Sequence, residues 1–127
     1  MSLSPNRNLV FVVDDDPGML KAVALLLRHN GYSSMLFSSA EAFEEHDDFE
    51  KALCVLLDIS LNDHRSGVEL RRRIAAAGVS VPIIFMTGDD DPAVRKDALE
   101  SGCLGYLTKP FSARSLIEQL KRAAHHP

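Results

Sequence analysis

Cysteine is scarce: the chain holds two, Cys54 and Cys103, among 127 residues. Two thiols cannot build a disulfide framework. Cys54 stands inside an apolar run and reads as a small buried hydrophobe. Long apolar runs are missing too. None approaches the ~20 residues a bilayer-spanning helix needs, so no membrane association is expected. The opening segment, Met1-Ser2-Leu3-Ser4-Pro5-Asn6-Arg7-Asn8, has no apolar signal core; secretion is not expected, and the compartment reads as cytoplasmic. Basic excess is lacking as well. The 14 basic residues face 18 acidic ones, a net charge of −4, which argues against direct nucleic-acid binding by this domain. No linker, repeat or low-complexity segment divides the chain. What is present is an ordinary globular composition, 46% hydrophobic and 25% charged, with enough apolar content to exclude global disorder. The length suits a single domain, residues 1–127, large enough to bury one good core.

Three near-continuous apolar runs stand out, Leu9–Val13, Ala52–Leu57 and Val81–Met86, with a shorter one at Leu104–Leu107. Unbroken runs rich in Val, Ile and Leu predict strands buried on both faces, as in a parallel sheet. Tyr32–Phe37, interrupted by Ser33 and Ser34, suits an edge strand. Helical segments fall between the runs. Asp16-Pro17 opens the first, with Leu20, Val23, Ala24 and Leu27 inward and Asn30-Gly31 as its stop. Asp91-Pro92 opens another, with Val94, Ala98 and Leu99 inward and Gly102 as its stop. Asp before Pro is a helix start, and Gly just past the last turn is a stop. Ser38-x-x-Glu41 and Ser66-x-x-Glu69 match capping boxes, the second leading into Leu70, Ile74, Ala75 and then Gly78. The last helix starts near Ser112 and carries Leu116, Ile117, Leu120 and Ala124. Strand–helix alternation of this kind predicts an α/β fold with right-handed crossovers and helices on both faces of the sheet.

In open α/β sheets, ligands bind outside the carboxyl ends of the strands. Those ends are followed by Asp14-Asp15-Asp16, by Asp58, by Thr87-Gly88-Asp89 and by Thr108-Lys109-Pro110. Taken singly, each has an ordinary reading: Asp16 as helix cap, Asp58 as turn cap, Thr87 as strand end, Lys109 as surface charge. Taken together they do not. Clustered carboxylates raise one another's pKa unless a cation intervenes. A hard, oxygen-liking cation, Mg²⁺ above all, resolves the cluster, and Lys109 adds positive charge.

Val12-Val13-Asp14-Asp15-Asp16-Pro17, Leu56-Leu57-Asp58, Met86-Thr87-Gly88 and Lys109-Pro110-Phe111 resemble the response-regulator receiver domain of two-component signalling. The resemblance runs from about Leu9 to Ala124. It implies a doubly wound, five-stranded parallel sheet in the order 2-1-3-4-5 with five helices on two faces. It further implies that Asp58 is the phosphoacceptor, charged by a sensor histidine kinase or a histidine phosphotransfer protein. Asp14, Asp15, Asp58 and the backbone carbonyl of Ser60 would hold Mg²⁺ or Mn²⁺. Thr87 and Lys109 would contact phosphoryl oxygens, and the Lys109-Pro110 bond is cis in most members. Tyr106 matches a switch aromatic coupled to Thr87. The implied function is a phosphorylation-driven switch that catalyses its own phosphorylation and dephosphorylation without being a free-standing enzyme. Its output surface would be Asp91–Gly102, Leu104–Leu107 and Ser112–Ala123, helix 4, strand 5 and helix 5. Arg95, Lys96, Glu100, Arg114, Glu118 and Lys121 on that surface fit a salt-bridged homodimer, and equally fit plain solubility.

The chain also departs from the family pattern. After the phosphoacceptor position, Asn62 replaces the usual proline, and the run Ser60–Gly67 is a residue longer than the common form. Asp63, His64 and Arg65 there read as a solvated turn. Asp89 and Ser60 stand where the family tunes phosphorylation and dephosphorylation rates. An aspartyl-phosphate phosphatase of haloacid-dehalogenase type is the alternative, disfavoured because its general acid would fall at Ser60. A flavodoxin-like cofactor binder is disfavoured because Asp14-Asp15-Asp16 would repel phosphate. Whether an effector, such as a transcriptional output, follows the domain stays open, as do the cognate kinase and the regulated process.

Overall fold

The computed structural model describes residues 8–46, 48–61, 67–88 and 92–125. Five strands alternate with helices: β1 (Leu9–Val13), α1 (Pro17–His29), β2 (Ser33–Phe37), α2 (Ala40–Glu44), a 3-10 turn (Phe49–Lys51), β3 (Cys54–Asp58), α3 (Gly67–Ala76), β4 (Ile83–Thr87), α4 (Pro92–Glu100), β5 (Gly105–Thr108) and α5 (Ala113–Ala124). The sheet order is β2-β1-β3-β4-β5, and every pairing is parallel. This is the doubly wound arrangement expected, with the weakly apolar β2 at an edge. Among the described residues no helix is long and apolar enough to cross a membrane.

The apolar runs are unbroken because both faces of the central strands are covered. Val10, Val12, Cys54, Leu56, Ile84 and Met86 point to one face, where Leu20, Val23 and Leu27 of α1 and Leu116, Leu120 and Ala123 of α5 meet them. The alternate residues Phe11, Val13, Val55, Leu57 and Phe85 point to the other, against Phe43 of α2, Leu70 and Ile74 of α3 and Ala98 of α4. Period-two alternation along each strand thus feeds two apolar layers. Phe11, Phe37, Phe43 and Phe49 meet edge to face; the 3-10 turn, unanticipated in the sequence, delivers Phe49.

Local signals set the helix ends. Asp16 Oδ1 accepts from the Gly18 amide at 2.9 Å, with Pro17 at the first helical position. Ser112 caps α5 through the Ser115 amide. Gly31, Gly78 and Gly102 sit at φ of 86°, 89° and 87°, the left-handed region that only glycine enters without strain. Four expectations need correction. Ser39, not Ser38, caps α2, accepting from the Ala42 amide. Leu99 faces solvent, 52% exposed, because it lies a further 100° round the helix from Ala98. On α5 the buried position is Ala123 rather than Ala124, and on α3 Ala75 is exposed while Val68 is buried. The expected caps Asp91 and Ser66 lie outside the described residues.

The strands carry their last residues into the site. Asp58, Thr87 and Thr108 end β3, β4 and β5, where the sequence placed them just beyond. Backbone bonds extend the ladder past the ends of β1, β3 and β5: Asp14 N–H to Phe37 O at 3.1 Å, Ile59 N–H to Met86 O at 3.0 Å, and Lys109 N–H to Thr87 O at 2.7 Å. The loops that bear the polar groups therefore leave the sheet in fixed directions.

Candidate functional site

Among the described residues, the buried polar or charged side chains are Asp14, Asp58 and Thr87. All three lie at the carboxyl edge of the sheet, on adjacent or next-adjacent strands. Burying polar groups is costly unless they are paired, and the pairing here is specific. Lys109 reaches in from the end of β5, with its Nζ 2.8 Å from Asp14 Oδ2 and 3.2 Å from Asp58 Oδ2. The remaining oxygens are held by the backbone. Asp14 Oδ1 accepts from the Asp16 amide at 2.9 Å, and Asp58 Oδ1 accepts from the Ser60 amide at 3.0 Å. Asp15, half-buried, completes a trio: carboxylate oxygens of Asp14, Asp15 and Asp58 lie within 4.8 Å of one another.

Burial pushes the Asp58 carboxyl up, the Lys109 charge and the Ser60 amide pull it down, and the nearby Asp14 charge pushes it up again; the net value is about 6. Burial alone would lower Lys109, but its hydrogen bond to Asp14 and the charges of Asp58 and Asp14 outweigh that and hold the ammonium above its ordinary value. Three carboxylates against one ammonium leave two negative charges in a half-enclosed space. An all-oxygen donor set with that residual charge fits a divalent hard cation such as Mg²⁺.

Two glycines shape the approach. A Cβ at Gly88, just after Thr87, would meet nothing within 4 Å among the described residues, so space is open beside Thr87 at the end of β4. Gly67 is the opposite case. Its amide donates to Ile59 O at 2.7 Å, and a Cβ there would collide with the Asp58 carbonyl oxygen. In the sequence Gly67 does no more than close the loop that starts at Ser60. Its proximity to the Asp58 backbone is a contact across the loop, with no local sequence signal beyond the residue type.

Tyr106 pairs in register with Phe85, and Thr87 lies two residues further along β4, so Thr87 and Tyr106 share the face covered by α4. Tyr106 is half-buried, and the Arg95 guanidinium lies 5.3 Å from its ring centroid. That cation–π contact was not anticipated. The Lys109–Pro110 bond is cis, as the resemblance implied. Ser60 is exposed and gives its amide to Asp58. Asn62, Asp63, His64, Arg65 and Asp89 lie outside the described residues.

Comparison with known proteins converges on one kind of domain. The model of the response regulator receiver domain matches residues 10–121. The chain is 31% identical over 121 residues to response regulator protein TmoT of Ectopseudomonas mendocina, covering 95% of this chain and 54% of that protein. It is 32% identical over 117 residues to transcriptional regulatory protein FixJ of Rhizobium meliloti, covering 92% and 57%. It thus spans about half the length of these curated relatives. The crystal structure titled FixJ-N superposes with a TM-score of 0.85 at 32% identity, covering 94% of each chain. That of a response regulator receiver protein from Pseudoalteromonas atlantica superposes at 0.84 and 22% identity, covering 91% and 96%, a likeness of fold alone.

Proposed function

Because the chain belongs to the response regulator receiver domain family of two-component signalling, we propose that Asp58 is its phosphoacceptor and that Asp14, Asp15, Asp58 and the Ser60 carbonyl hold Mg²⁺, or Mn²⁺ in its place. The observation that carries this reading is the position of Asp58: a buried carboxylate at a strand end, 3.2 Å from Lys109 and grouped with two further acids.

The transfer needs positioning and charge neutralisation more than covalent help. A carboxylate oxygen of Asp58 attacks the phosphorus of a phosphohistidine. The O–P bond forms, the P–N bond breaks, and the leaving electron pair returns to the imidazole. Lys109, already between Asp14 and Asp58, follows the transferred group and pairs with one of its oxygens. Thr87 donates to another oxygen. The bound cation would neutralise charge on the remaining oxygens. Water later hydrolyses the acyl phosphate, which makes the signal transient. Movement of Thr87 toward the phosphoryl group frees space on the α4 face, and Tyr106 turns toward it, breaking its contact with Arg95.

The partner on this reading is a sensor histidine kinase or a histidine phosphotransfer protein, and the domain acts as a regulator rather than as a free-standing enzyme. The output surface is α4–β5–α5. Exposed Leu99 gives its mixed charges an apolar centre, which suits a phosphorylation-dependent homodimer. Transcriptional output is the corresponding reading for the whole protein, supported by the relatives titled transcriptional regulators. The haloacid-dehalogenase alternative has no support, since residue 60 is serine. Borohydride trapping tests the assignment. It reduces an aspartyl phosphate to homoserine, and peptide mass should find homoserine at position 58. Homoserine elsewhere, with residue 58 unmodified, would refute it.

A further inference from the structure

We propose that the end of the sheet opposite the acidic cluster holds a second site, for a small organic anion with an apolar body and a carboxylate or phosphate head. A cavity of about 880 Å³ lies there, between the amino ends of β3, β4 and β5 and the later turns of α3 and α5. That volume is within the range of small-molecule pockets. Its lining is mixed: apolar side chains, Leu53, Ile74, Pro82 and Leu104 among them, stand beside two guanidinium groups, Arg71 and Arg122.

Among the described residues the charges on these two arginines have no carboxylate partner. Their sequence neighbours show the contrast: Arg72 pairs with Asp97 at 3.0 Å and Arg73 with Glu44 at 2.9 Å. Among the described residues Arg71 donates to the Gly102 carbonyl alone, at 3.2 Å, while its Nε is shut away from solvent with no hydrogen-bond partner. Among the described residues Arg122 donates to Gln119 Oε1 alone, also at 3.2 Å. Glu50 stands at the rim, but among the described residues no carboxylate is within ion-pair distance of either guanidinium. Cys103 lies in the same wall, and burial holds its thiol above the ordinary range, so it supplies no thiolate in their place. Arg122, in the last turn of α5, has a reason to be there in the helix dipole. Arg71, in the middle of α3, is tied to the Gly102 carbonyl but stands at no helix end that would favour its charge. An oxyanion is the natural partner for two guanidinium groups that line one cavity with no carboxylate among the described residues to neutralise them, and the apolar side chains among the lining give an organic body contact behind it. The inference does not depend on the role of Asp58.

Amide proton–nitrogen spectra of the whole chain, titrated with benzoate, inorganic phosphate and neutral benzamide, test it. Gly78, Gly102 and Leu104 report on this cavity; Asp14, Thr87 and Lys109 report on the acidic site. Saturable shifts confined to the first group are expected with benzoate, and with phosphate if the phosphate head suffices. Either supports the site and names its head group. Benzamide should give none. R71Q/R122Q should weaken binding about tenfold or more, as loss of charge-assisted contacts does. Arg122→Gln alone, at an exposed position, keeps the test open if the double variant folds poorly, and should weaken binding in the same direction. No saturable shift with either anion, an equal response to benzamide, or binding unchanged in the variants would overturn the proposal.

Discussion

Gly67→Ala tests whether the site depends on a backbone contact that the sequence does not advertise. An alanine Cβ at residue 67 would overlap the Asp58 carbonyl oxygen and stand 3.0 Å from both the Asp58 carbonyl carbon and the Ile59 Cα. These are backbone atoms in and beside a central strand, so they cannot rotate away as a side chain would. Relief requires α3 to move outward or the end of β3 to shift. Forcing a methyl into such a contact costs about 2 kcal/mol. For a domain of this size that is a fall in Tm of roughly 6–10 °C. The matched control is Val23→Ala, in the buried face of α1 at 1% exposure, which loses a similar ~2 kcal/mol by leaving a cavity. Thermal melts give the stability of both variants. Mg²⁺ titration and the rate of phosphorylation by acetyl phosphate, below the melting range, read the site. Gly67→Ala should impair both beyond the control, because the carboxylate moves with its carbonyl. Wild-type stability with wild-type Mg²⁺ affinity would refute the reasoning.

The remaining predictions concern charge and burial. Lys109→Met leaves Asp14 and Asp58 without their cation and should cost about 3 kcal/mol near neutral pH, the lower end for a broken buried pair because Lys109 is partly solvated; a chemical melt measures this, and Mg²⁺ should restore part of the loss. The Asp58 carboxyl ionises near 6 in the fold against 3.8 as its ordinary value. The unfolded chain therefore holds fewer protons in that window, and metal-free protein should lose stability as pH rises from about 4 to 6. In EDTA, Asp58→Asn should melt above wild type near neutral pH, and the difference should vanish on acidification through that window; a constant difference would show that the carboxylate charge is not its source. Cys54 is fully buried and burial pushes its thiol up to about 12, so native protein should leave it unmodified by iodoacetamide while denatured protein reacts fully, as peptide mass would show.

Much of this was legible in the chain itself because two signals are local and strong. Continuous Val, Ile and Leu runs mark strands covered on both faces, and Asp16-Pro17, Gly31, Gly78 and Gly102 mark helix ends by steric rule. Topology then brings Asp14, Asp58, Thr87 and Lys109 to one edge, since parallel strands all present their carboxyl ends there. The sequence was silent on contacts between elements. Nothing near Lys109 says that its ammonium lies between two particular carboxylates. Gly67 against the Asp58 carbonyl and Arg95 over Tyr106 depend on how α3 and α4 settle on the sheet. Small errors came from helix phase. Ser38 and Ser39 are both plausible caps, and only the amide that is reached decides between them. Leu99 follows Ala98 by 100° and so turns away from the core.

The central claim is that Asp58 receives a phosphoryl group in a Mg²⁺-dependent reaction. Intact-mass spectrometry of the wild type and of Asp58→Ala, each incubated with acetyl phosphate with and without Mg²⁺, tests it most directly. The account predicts one phosphoryl adduct in the wild type with Mg²⁺, and none in Asp58→Ala or after chelation. An adduct that persists in Asp58→Ala, or that forms equally in EDTA, would contradict it.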